Sequence, residues 1–496
     1  MYEINPMTAI DSYKLGHMTQ YPDGTTKVSC NLTPRNFRYL REYVPEAYFS
    51  NKAVVLGLTS SIQEVSDSFQ THFFDKDREE VIAEFKETIR PFIGDNDDTL
   101  ILENFRKLHD LGYLPLRFKI VPEGMQVGEN VPMMTWINTH DDFAWLPNYL
   151  ETFLSSQTWK ISTCATIAKV YKNMFDSFAE KTGSPMDFTA IQGHDFSSRG
   201  MSGIVDATRS GVGHLASFLG SDSISSVGYV NKYYEGKKCV PFVGCSVPAT
   251  EHSVMCLGGK LTEVETYRKL LGMYPTGIVS IVSDTWDYWN VVTNTLKELK
   301  DEILARQPDS IGLCKTVIRP DSGCPEDIIC GTRYNRVIGF NPEKYTEDDW
   351  KEMVAEEMNE IFCEELNAEE PHFEDTRGWQ YGNRYFEVTY TPDLGRHDKQ
   401  YYFVDNYGST VSKCEFKEFT PTPEQKGSLE CLWEIFGGEI NEKGYKVLDP
   451  HIGLIYGDSI TPKRCLEILE RMEEKGFASC NIVLGIGSAT YQGGVL

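Results

Sequence analysis

Two short strings near the middle of the chain combine glycine with an aromatic ring or a carboxylate. In Gly193-His-Asp-Phe-Ser-Ser-Arg199, Phe196 and Arg199 are three residues apart. The ring can therefore stack on a flat ligand while the guanidinium contacts a phosphate. In Gly220-Ser-Asp222-Ser, the carboxylate can accept hydrogen bonds from an amide NH2 and would repel a carboxylate on the same ring. Both strings also have a structural interpretation, as a turn with a core phenylalanine and as a cap on a turn or helix.

Two further strings carry groups suited to proton transfer and sugar recognition. Ser246-Val-Pro-Ala-Thr-Glu251-His252 places a histidine beside an acid. Such a histidine can be held in one tautomer and act as a base, a phosphate ligand or a nucleophile, or it can be purely structural. In Ile318-Arg319-Pro-Asp321-Ser-Gly323, the arginine offers forked donors and Asp321 can accept from vicinal sugar hydroxyls, while proline and glycine fix the turn.

Glycines close to the C-terminus complete the set of candidate ligand groups. Gly457-Asp458 and Gly485-Ile-Gly487-Ser488 each follow an apolar run. Glycines in this position let backbone N–H groups approach phosphate oxygens closely, so the two strings together suggest a ribose-phosphate site. The sequence contains no Walker loop, no dinucleotide fingerprint after an N-terminal strand and no His-Glu-x-x-His.

The elements that must position these residues alternate between strand and helix. The sequence predicts strands at 278–283, 316–318, 452–455 and 481–484 and helices at about 286–305 and 461–475, the last with Pro462 in its first turn. This alternation indicates a parallel sheet or barrel, in which ligands bind at the carboxyl ends of the strands. Asp284, Arg319, Gly457 and Gly487 follow those ends.

We therefore predict an α/β fold, an irregular TIM-like α/β barrel with additions. Residues 1–180 would form an N-terminal α+β domain that contributes to a dimer, with helices at 59–73 and 146–180. The barrel would comprise 181–324 and 448–496. Residues 325–447 would be an inserted acidic α+β segment, with a helix near 346–367 followed by alternating aromatic strands.

Composition excludes several classes of function. The net charge of -25 disfavours nucleic-acid binding, which needs a positive field. No uninterrupted apolar run of about 18 residues predicts a membrane span, and the first residues do not resemble a secretory signal. The 13 cysteines are scattered without a Cys-x-x-Cys pair, which indicates reduced thiols in the cytoplasm and no metal site built from cysteine.

Taken in this order, the strings resemble the type II nicotinate/nicotinamide phosphoribosyltransferase family. Asp11-Ser-Tyr13-Lys-Leu-Gly-His17 and Thr33-Pro-Arg35 also resemble that family's N-terminal signature, and the resemblance covers about 1–323 and 450–490. It implies a pentosyltransferase of NAD salvage that transfers the phosphoribosyl group of 5-phosphoribosyl 1-pyrophosphate to nicotinamide. The products would be nicotinamide mononucleotide and pyrophosphate.

The resemblance also implies a role for each candidate residue. The nicotinamide ring would lie between Phe196 and Tyr13 of the partner subunit in a homodimer, with Asp222 on the carboxamide nitrogen and Arg319 beside the ring. Phosphate or pyrophosphate would be held by Arg199 of the same chain together with Arg35 of the partner subunit. The other ligand groups would be His252 for pyrophosphate, Asp321 and Asp458 for ribose, and Gly457, Gly487 and Ser488 for the 5′-phosphate. Catalysis would rest on His252, Asp284 and Asp321, with Mg2+ accompanying pyrophosphate and ATP as an optional activator through His252.

Two departures from the family generate further hypotheses. The family has Gly-Gly after the last strand, where this chain has Gly487-Ser488-Ala489. It also continues, with a phosphate-binding arginine and further strands, beyond the position of Leu496. We therefore expect a C-terminally incomplete barrel and a complementing C-terminal polypeptide. A nicotinate-specific enzyme, an inactive or binding fragment, and another phosphate-binding barrel enzyme such as an isomerase remain as alternatives.

Overall fold

The computed structural model describes two compact units. The described residues are 4–94, 96–234, 243–337, 340, 344–365, 375–382, 384–393, 402–404, 411–457 and 459–492. The first unit comprises Met1–Trp286, Asp301–Pro325 and Gly438–Leu496, and the second comprises Asp287–Lys300 and Glu326–Gly437.

The strands and helices alternate along much of the chain. The strands are β1 (Ser29–Leu32), β2 (Ala53–Val54), β3 (Leu116–Ile120), β4 (Gln126–Val127), β5 (Met134–Asn138), β6 (Gly193–Asp195), β7 (Gly220–Ser221), β8 (Val279–Val282), β9 (Thr316–Arg319), β10 (Asp375–Tyr381), β11 (Arg384–Asp393), β12 (Tyr402–Val404), β13 (Val411–Phe419), β14 (Gly438–Ile440), β15 (Lys446–Leu448), β16 (Ile452–Tyr456) and β17 (Ile482–Ile486). The helices are α1 (Lys14–Gln20), α2 (Arg38–Tyr43), α3 (Leu58–Phe69), α4 (Arg78–Ile93), α5 (Thr99–Leu111), α6 (Leu146–Tyr149), α7 (Glu151–Thr182), α8 (Thr189–Gln192), α9 (Ile204–His214), α10 (Ile224–Tyr234), α11 (His252–Gly258), α12 (Glu263–Met273), α13 (Tyr288–Asn290), α14 (Leu296–Glu298), α15 (Lys300–Leu304), α16 (Pro325–Cys330), α17 (Glu347–Glu365), α18 (Pro423–Lys426), α19 (Ser428–Phe436), α20 (Pro462–Glu474) and α21 (Ser488–Tyr491).

A six-stranded parallel sheet forms the centre of the first unit. Its order is β7-β6-β17-β16-β9-β8, and every neighbouring pair is parallel. Every residue of β8 and β16 is buried. Strands that are buried on both faces are rich in apolar residues, and this is why the sequence predicts both strands. The segment at 245–250 makes single parallel bridges with both sheet edges, Cys245 with Gly220 and Ala249 with Ser280. The sheet is therefore curled, and this segment lies between its two edges.

The structure confirms the four predicted strands and the mixed α/β class. Predicted strands at 278–283, 316–318, 452–455 and 481–484 correspond to β8, β9, β16 and β17. The predicted helix at 461–475 is α20, with Pro462 in its first turn and Thr461 accepting a hydrogen bond from Arg464 N. The single helix predicted at 286–305 is instead divided into α13, a π-helical turn (Val291–Thr295), α14 and α15.

The N-terminal part of the first unit has its own antiparallel sheet and helical core. Strands β1, β5 and β3 pair antiparallel. The helix predicted at 59–73 is α3 continued by a π-helical turn, Gln70–Phe74, and the one predicted at 146–180 is α6 and α7. Edge-to-face contacts among Phe73, Phe85 and Phe105 fix the packing of α4 and α5 in this core.

The second unit contains an antiparallel sheet that packs against helix α17, together with the shorter helices α13, α14, α16, α18 and α19. Strands β10, β11, β13 and β12 pair antiparallel in that order. The acidic helix α17 buries its apolar side chains against the sheet, and Trp350, Trp379 and Tyr390 are among the core residues. No helix in the described part of the chain is long and apolar enough to cross a membrane.

One glycine permits the close approach of the two helices that support the sheet. A Cβ atom at Gly213 on α9 would lie 2.7 Å from Ile161 O and 2.8 Å from Ala165 N, both backbone atoms of α7. Real Cβ contacts are not that short. Side-chain rearrangement cannot relieve a clash with backbone, so a larger residue must separate α9 from α7.

We predict that Gly213→Ala lowers the unfolding free energy by about 1–3 kcal/mol because it overpacks this helix contact. Gly228→Ala is the matched control: Gly228 also lies within a helix, and a Cβ there meets nothing within 4 Å. The control should be neutral or gain roughly 0.5–1 kcal/mol from helix propensity. Thermal unfolding of the two variants tests this, and equal melting temperatures would contradict the role of Gly213.

Candidate active site

The candidate ligand groups lie at one edge of the parallel sheet. Phe196 follows β6, Gly457 follows β16, and Gly487 follows β17. The strands run in the same direction, so their carboxyl ends meet at this edge. The Phe196 N–H donates to Ile486 O at 3.0 Å, which joins the first of these loops to the end of β17.

The Phe196 ring lies directly against glycine backbone. A Cβ atom at Gly485 would be 2.7 Å from Phe196 Cε2 and 3.0 Å from the Gly457 Cα. A Cβ atom at Gly457 would be 3.5 Å from the same ring carbon and 2.5 Å from Asp321 Oδ1. These glycines therefore admit the half-buried ring and bring Asp321 close to it. Phe196, Asp321 and Gly457, predicted separately from the sequence, form one cluster.

Asp222 is held by two side chains that donate to the same oxygen. Its Oδ1 lies 2.6 Å from Ser246 Oγ and 2.9 Å from His194 Nε2. Burial alone would raise the pKa of Asp222, but these two hydrogen bonds and the charges of His194 and Arg319 hold the pKa below its ordinary value. The carboxylate is thus negatively charged at neutral pH. Sequence reasoning predicted Asp222 and missed His194 and Ser246 as its partners.

Arg319 lies at the end of β9 and is oriented by the neighbouring segment. Its Nη2 donates to Thr250 O at 2.8 Å, and its charge contributes to the lowered pKa of Asp222. The Thr250 hydroxyl in turn accepts from Val282 N at 2.9 Å on β8. The segment beside β8 therefore orients the guanidinium, which lies near enough to Asp222 to lower the pKa of that carboxyl.

His252 and Asp284 form a second pair at this edge. His252 Nε2 lies 3.2 Å from Asp284 Oδ1. The other oxygen, Oδ2, accepts from Asp321 N at 2.8 Å and from Ser322 Oγ at 2.6 Å. The Asp284 side chain is 5% exposed, whereas that of His252 is 48% exposed. One buried carboxylate thus orients the imidazole and fixes the turn that carries Asp321.

The loops after β6 and β17 meet around Gly200. Gly200 packs against the Ser488 side chain, so the 3-10 turn Ser198–Gly200, with exposed Arg199, lies beside Ser488. A Cβ atom at Gly487 would meet nothing within 4 Å. Arg199, Gly487 and Ser488 are therefore brought together. Asp458, which was also predicted here, lies outside the described residues.

Two predicted residues lie elsewhere on this chain. The Tyr13 side chain is exposed and is 3.5 Å from Asp11 Oδ2. Exposed Arg35 lines a cavity of about 900 Å3 with Thr33, Tyr43 and Trp159. In the described part of the chain, neither residue contacts Phe196 or Asp222, so the structure does not place them in this cluster.

Buried His214 contacts the backbone of β7, the strand that precedes Asp222. Sequence reasoning did not identify this residue. His214 Nε2 lies 3.0 Å from Gly220 O, and Nδ1 lies 2.6 Å from Tyr491 OH. Because the carbonyl can only accept, Nε2 carries the hydrogen and the tyrosine donates to Nδ1. Burial lowers the pKa of His214 to about 4. The neutral imidazole links α21 to the strand that precedes Asp222.

Comparison with known proteins gives one family and several relatives. The model of the nicotinate phosphoribosyltransferase family matches residues 191–367 and 412–493. A protein named nicotinamide phosphoribosyltransferase from Acinetobacter baylyi is 41% identical over 492 residues, which is 99% of this chain and 79% of that protein. Two proteins of the same name are 30% identical (Mycoplasma pneumoniae, 98% and 85% covered) and 27% identical (Mycoplasma genitalium, 99% and 86% covered).

We predict that protonation of His214 lowers the free energy of unfolding as the pH drops from about 6.5 to 4. Its pKa is lower in the folded chain than the ordinary 6.5, so the unfolded chain takes up the proton first and is favoured as the pH drops. This contribution should lower the free energy of unfolding by roughly 3 kcal/mol in total, and no such decrease should occur above pH 7. Urea unfolding of the wild type and His214→Gln at pH 7, 6 and 5 measures it. The unfolding free energy of His214→Gln should depend less on pH than that of the wild type. His140→Gln, at an exposed histidine, is the control and should behave like the wild type. If the unfolding free energy of all three proteins depends on pH equally, the role of His214 is refuted.

Proposed function

The chain belongs to the nicotinate phosphoribosyltransferase family, and we propose that it transfers the phosphoribosyl group of 5-phosphoribosyl 1-pyrophosphate to nicotinamide. Nicotinamide mononucleotide and pyrophosphate would be the products. The observation that carries the choice of nicotinamide is Asp222, a negatively charged carboxylate at the same sheet edge as the Phe196 ring. The relatives named nicotinamide phosphoribosyltransferase support the same conclusion.

Recognition of the ring would combine stacking with charge. The Phe196 face accepts a flat pyridine ring, and the free oxygen of Asp222 accepts a hydrogen bond from the carboxamide NH2. Nicotinate has no such hydrogen and would place a second negative charge beside Asp222. The site therefore favours nicotinamide over nicotinate.

Recognition of the sugar phosphate would use the neighbouring loops. Asp321, beside the Phe196 ring, is placed to accept from ribose hydroxyls, and the prediction assigns the same role to Asp458. The 5′-phosphate would lie against Gly457, Gly487 and Ser488, because glycine lets a phosphate approach the backbone N–H groups closely and the space beside Gly487 is open. Exposed Arg199, beside Ser488, would contact the phosphate or pyrophosphate.

The residues present suit departure of pyrophosphate before attack by the ring nitrogen. Cleavage of the bond from ribose C1 leaves a cation on the sugar, which the carboxylate of Asp321 would stabilise. Buried Asp284 would contribute by holding the Asp321 turn and the His252 ring in place. Arg199 and His252 would stabilise the negative charge that develops on pyrophosphate. Because neutral pyridine nitrogen is a weak nucleophile, the ring must be held in line with C1, and stacking on Phe196 supplies that orientation.

Mg2+ fits this site as a companion of pyrophosphate. The described residues contain no group of three or more His, Cys, Asp or Glu side chains placed to hold a metal. Mg2+ usually keeps waters and binds few carboxylates together with substrate phosphates. Asp321, whose carboxylate lies beside Gly457, is a candidate contact for the ion. When bound, the ion would neutralise charge on the leaving group.

ATP would act through His252. The imidazole is half-exposed while its carboxylate partner Asp284 is buried, so the ring is oriented yet accessible to a second substrate. In the proposed step, an imidazole nitrogen of His252 would attack the γ-phosphorus of ATP, the bond to the β-phosphate oxygen would break, and ADP would leave. This arrangement supports the proposed role as phosphoryl acceptor.

The larger organisation is also a proposal. Exposed Tyr13 and Arg35 are available to the active site of a second copy, which supports a homodimer with shared sites. The bridges at Cys245 and Ala249 support an irregular barrel. The second compact unit supports the proposed boundary near 325, but its main segment ends at Gly437 and not at 447, and it also includes Asp287–Lys300. The scattered free cysteines of the described residues support a reducing, cytoplasmic location.

The proposed reaction is tested directly by product analysis. The purified full chain is incubated with 5-phosphoribosyl 1-pyrophosphate, Mg2+ and either nicotinamide or nicotinate, with and without ATP. We expect nicotinamide mononucleotide as the main product and a higher kcat/KM for nicotinamide. A preference for nicotinate would overturn the assignment.

Replacement of Asp222 by asparagine should relax selectivity. Asp222→Asn removes the negative charge that repels nicotinate while keeping the size of the side chain. We expect the ratio of kcat/KM for nicotinamide to that for nicotinate to fall by about tenfold or more, equivalent to at least ~1.4 kcal/mol. An unchanged ratio would count against the role of Asp222.

Replacement of His252 by alanine should uncouple ATP from the reaction. His252→Ala removes the proposed phosphoryl acceptor, so ATP should no longer raise the rate or leave a phosphorylated protein. Parallel assays with labelled ATP compare the variant with His140→Gln, an exposed histidine outside the cluster. Stimulation by ATP in the alanine variant equal to that in the wild type would rule out this role.

A further inference from the structure

We propose that His194 and Ser246 are positioning residues that fix the Asp222 carboxylate and thereby set the selectivity for a carboxamide over a carboxylate. This inference rests on the proposed function. It assigns the specificity to a three-residue unit rather than to Asp222 alone.

The first observation is that both donors use one oxygen. Ser246 Oγ and His194 Nε2 lie 2.6 and 2.9 Å from Asp222 Oδ1, and 3.5 Å from each other. In the described part of the chain, the second oxygen of Asp222 has no hydrogen-bond partner. The carboxylate is therefore held by one oxygen and presents the other as an acceptor.

The second observation is that the His194 ring cannot turn away. The side chain is 11% exposed. A Cβ atom at Gly220 would lie 2.7 Å from His194 Nδ1, so the backbone of β7 closes one side. The Phe196 ring lies on another side, with 4.8 Å between ring centroids. A carboxylate oxygen only accepts, so Nε2 carries the hydrogen that is donated to Asp222.

The fixed position of the Asp222 carboxylate explains how the two donors would set the selectivity. An Asp222 side chain free to rotate could point away from nicotinate and avoid the repulsion between two carboxylates. His194 and Ser246 hold Oδ1 and oppose that rotation, so the other oxygen of Asp222 remains directed at the ligand. The unit therefore both orients the acceptor for the carboxamide N–H and maintains the repulsion of nicotinate. Arg319 is the other charged group that influences Asp222.

The test measures kcat and KM for nicotinamide and nicotinate in four full-length variants. Ser246→Ala and His194→Phe remove the donors, whereas His194→Gln keeps an N–H donor. We expect the selectivity ratio to fall roughly threefold to tenfold in Ser246→Ala and on the order of tenfold in His194→Phe, mainly through the KM values. His194→Gln should restore at least half of the selectivity lost in His194→Phe. The fourth variant, Asp222→Asn/Ser246→Ala, should show the ratio of Asp222→Asn alone, since Ser246 acts through Asp222.

Two matched controls separate this role from a general effect of each substitution. Ser50→Ala removes an exposed hydroxyl that donates to Gln126 Oε1 at 2.8 Å. His451→Phe removes a histidine whose Nδ1 lies 2.8 Å from Asp449 Oδ1. Both residues lie outside the site, so both variants should keep the wild-type ratio. Ser246 is exposed, so Ser246→Ala decides the matter if His194→Phe does not fold.

The outcomes distinguish this inference from the function on which it rests. Absence of nicotinamide mononucleotide with the wild type overturns the proposed function. A nicotinamide-selective wild type whose ratio stays within twofold in Ser246→Ala and in every folded His194 variant overturns only the positioning role. A further loss when Ser246→Ala is added to Asp222→Asn also overturns it, because Ser246 would then act by another route.

Discussion

Parallel pairing of β6, β17, β16 and β9 is the constraint on which the site depends. This pairing brings the loops that follow the four strands to one edge of the sheet, although the loops are spread over almost 300 positions of the chain. Glycine then sets how closely these loops approach. The Phe196 ring rests on Gly485 and Gly457, and Gly457 also admits Asp321. Without a parallel sheet the residues would not meet, and without these glycines the ring would have no space.

Two histidine–aspartate pairs occupy this edge with opposite exposure. In one pair His194 is 11% exposed and Asp222 48% exposed, whereas in the other Asp284 is 5% exposed and His252 48% exposed. The buried member orients its partner, and the exposed member is accessible at the sheet edge. Under the proposed function, the same interaction would present a carboxylate to the pyridine ring and an imidazole to pyrophosphate.

Apolar runs made the central strands predictable, because strands buried on both faces leave a continuous hydrophobic signal. That signal located β8, β9, β16 and β17 and the residues that follow them. Strands β6 and β7 carry two or three mostly polar residues, so the sequence carries no hydrophobic signal that predicts them as strands. The role of His194 could not be predicted, since 28 residues separate it from Asp222. The available signal was alternation, which puts His194 and Phe196 on one side of β6.

A crystal structure with nicotinamide mononucleotide and pyrophosphate tests the central claim most directly. The account predicts the pyridine ring on Phe196 and the carboxamide nitrogen within ~3.2 Å of the second oxygen of Asp222. His194 and Ser246 should remain on the first oxygen. A ring bound away from Phe196, or a carboxamide whose oxygen faces Asp222, would contradict it.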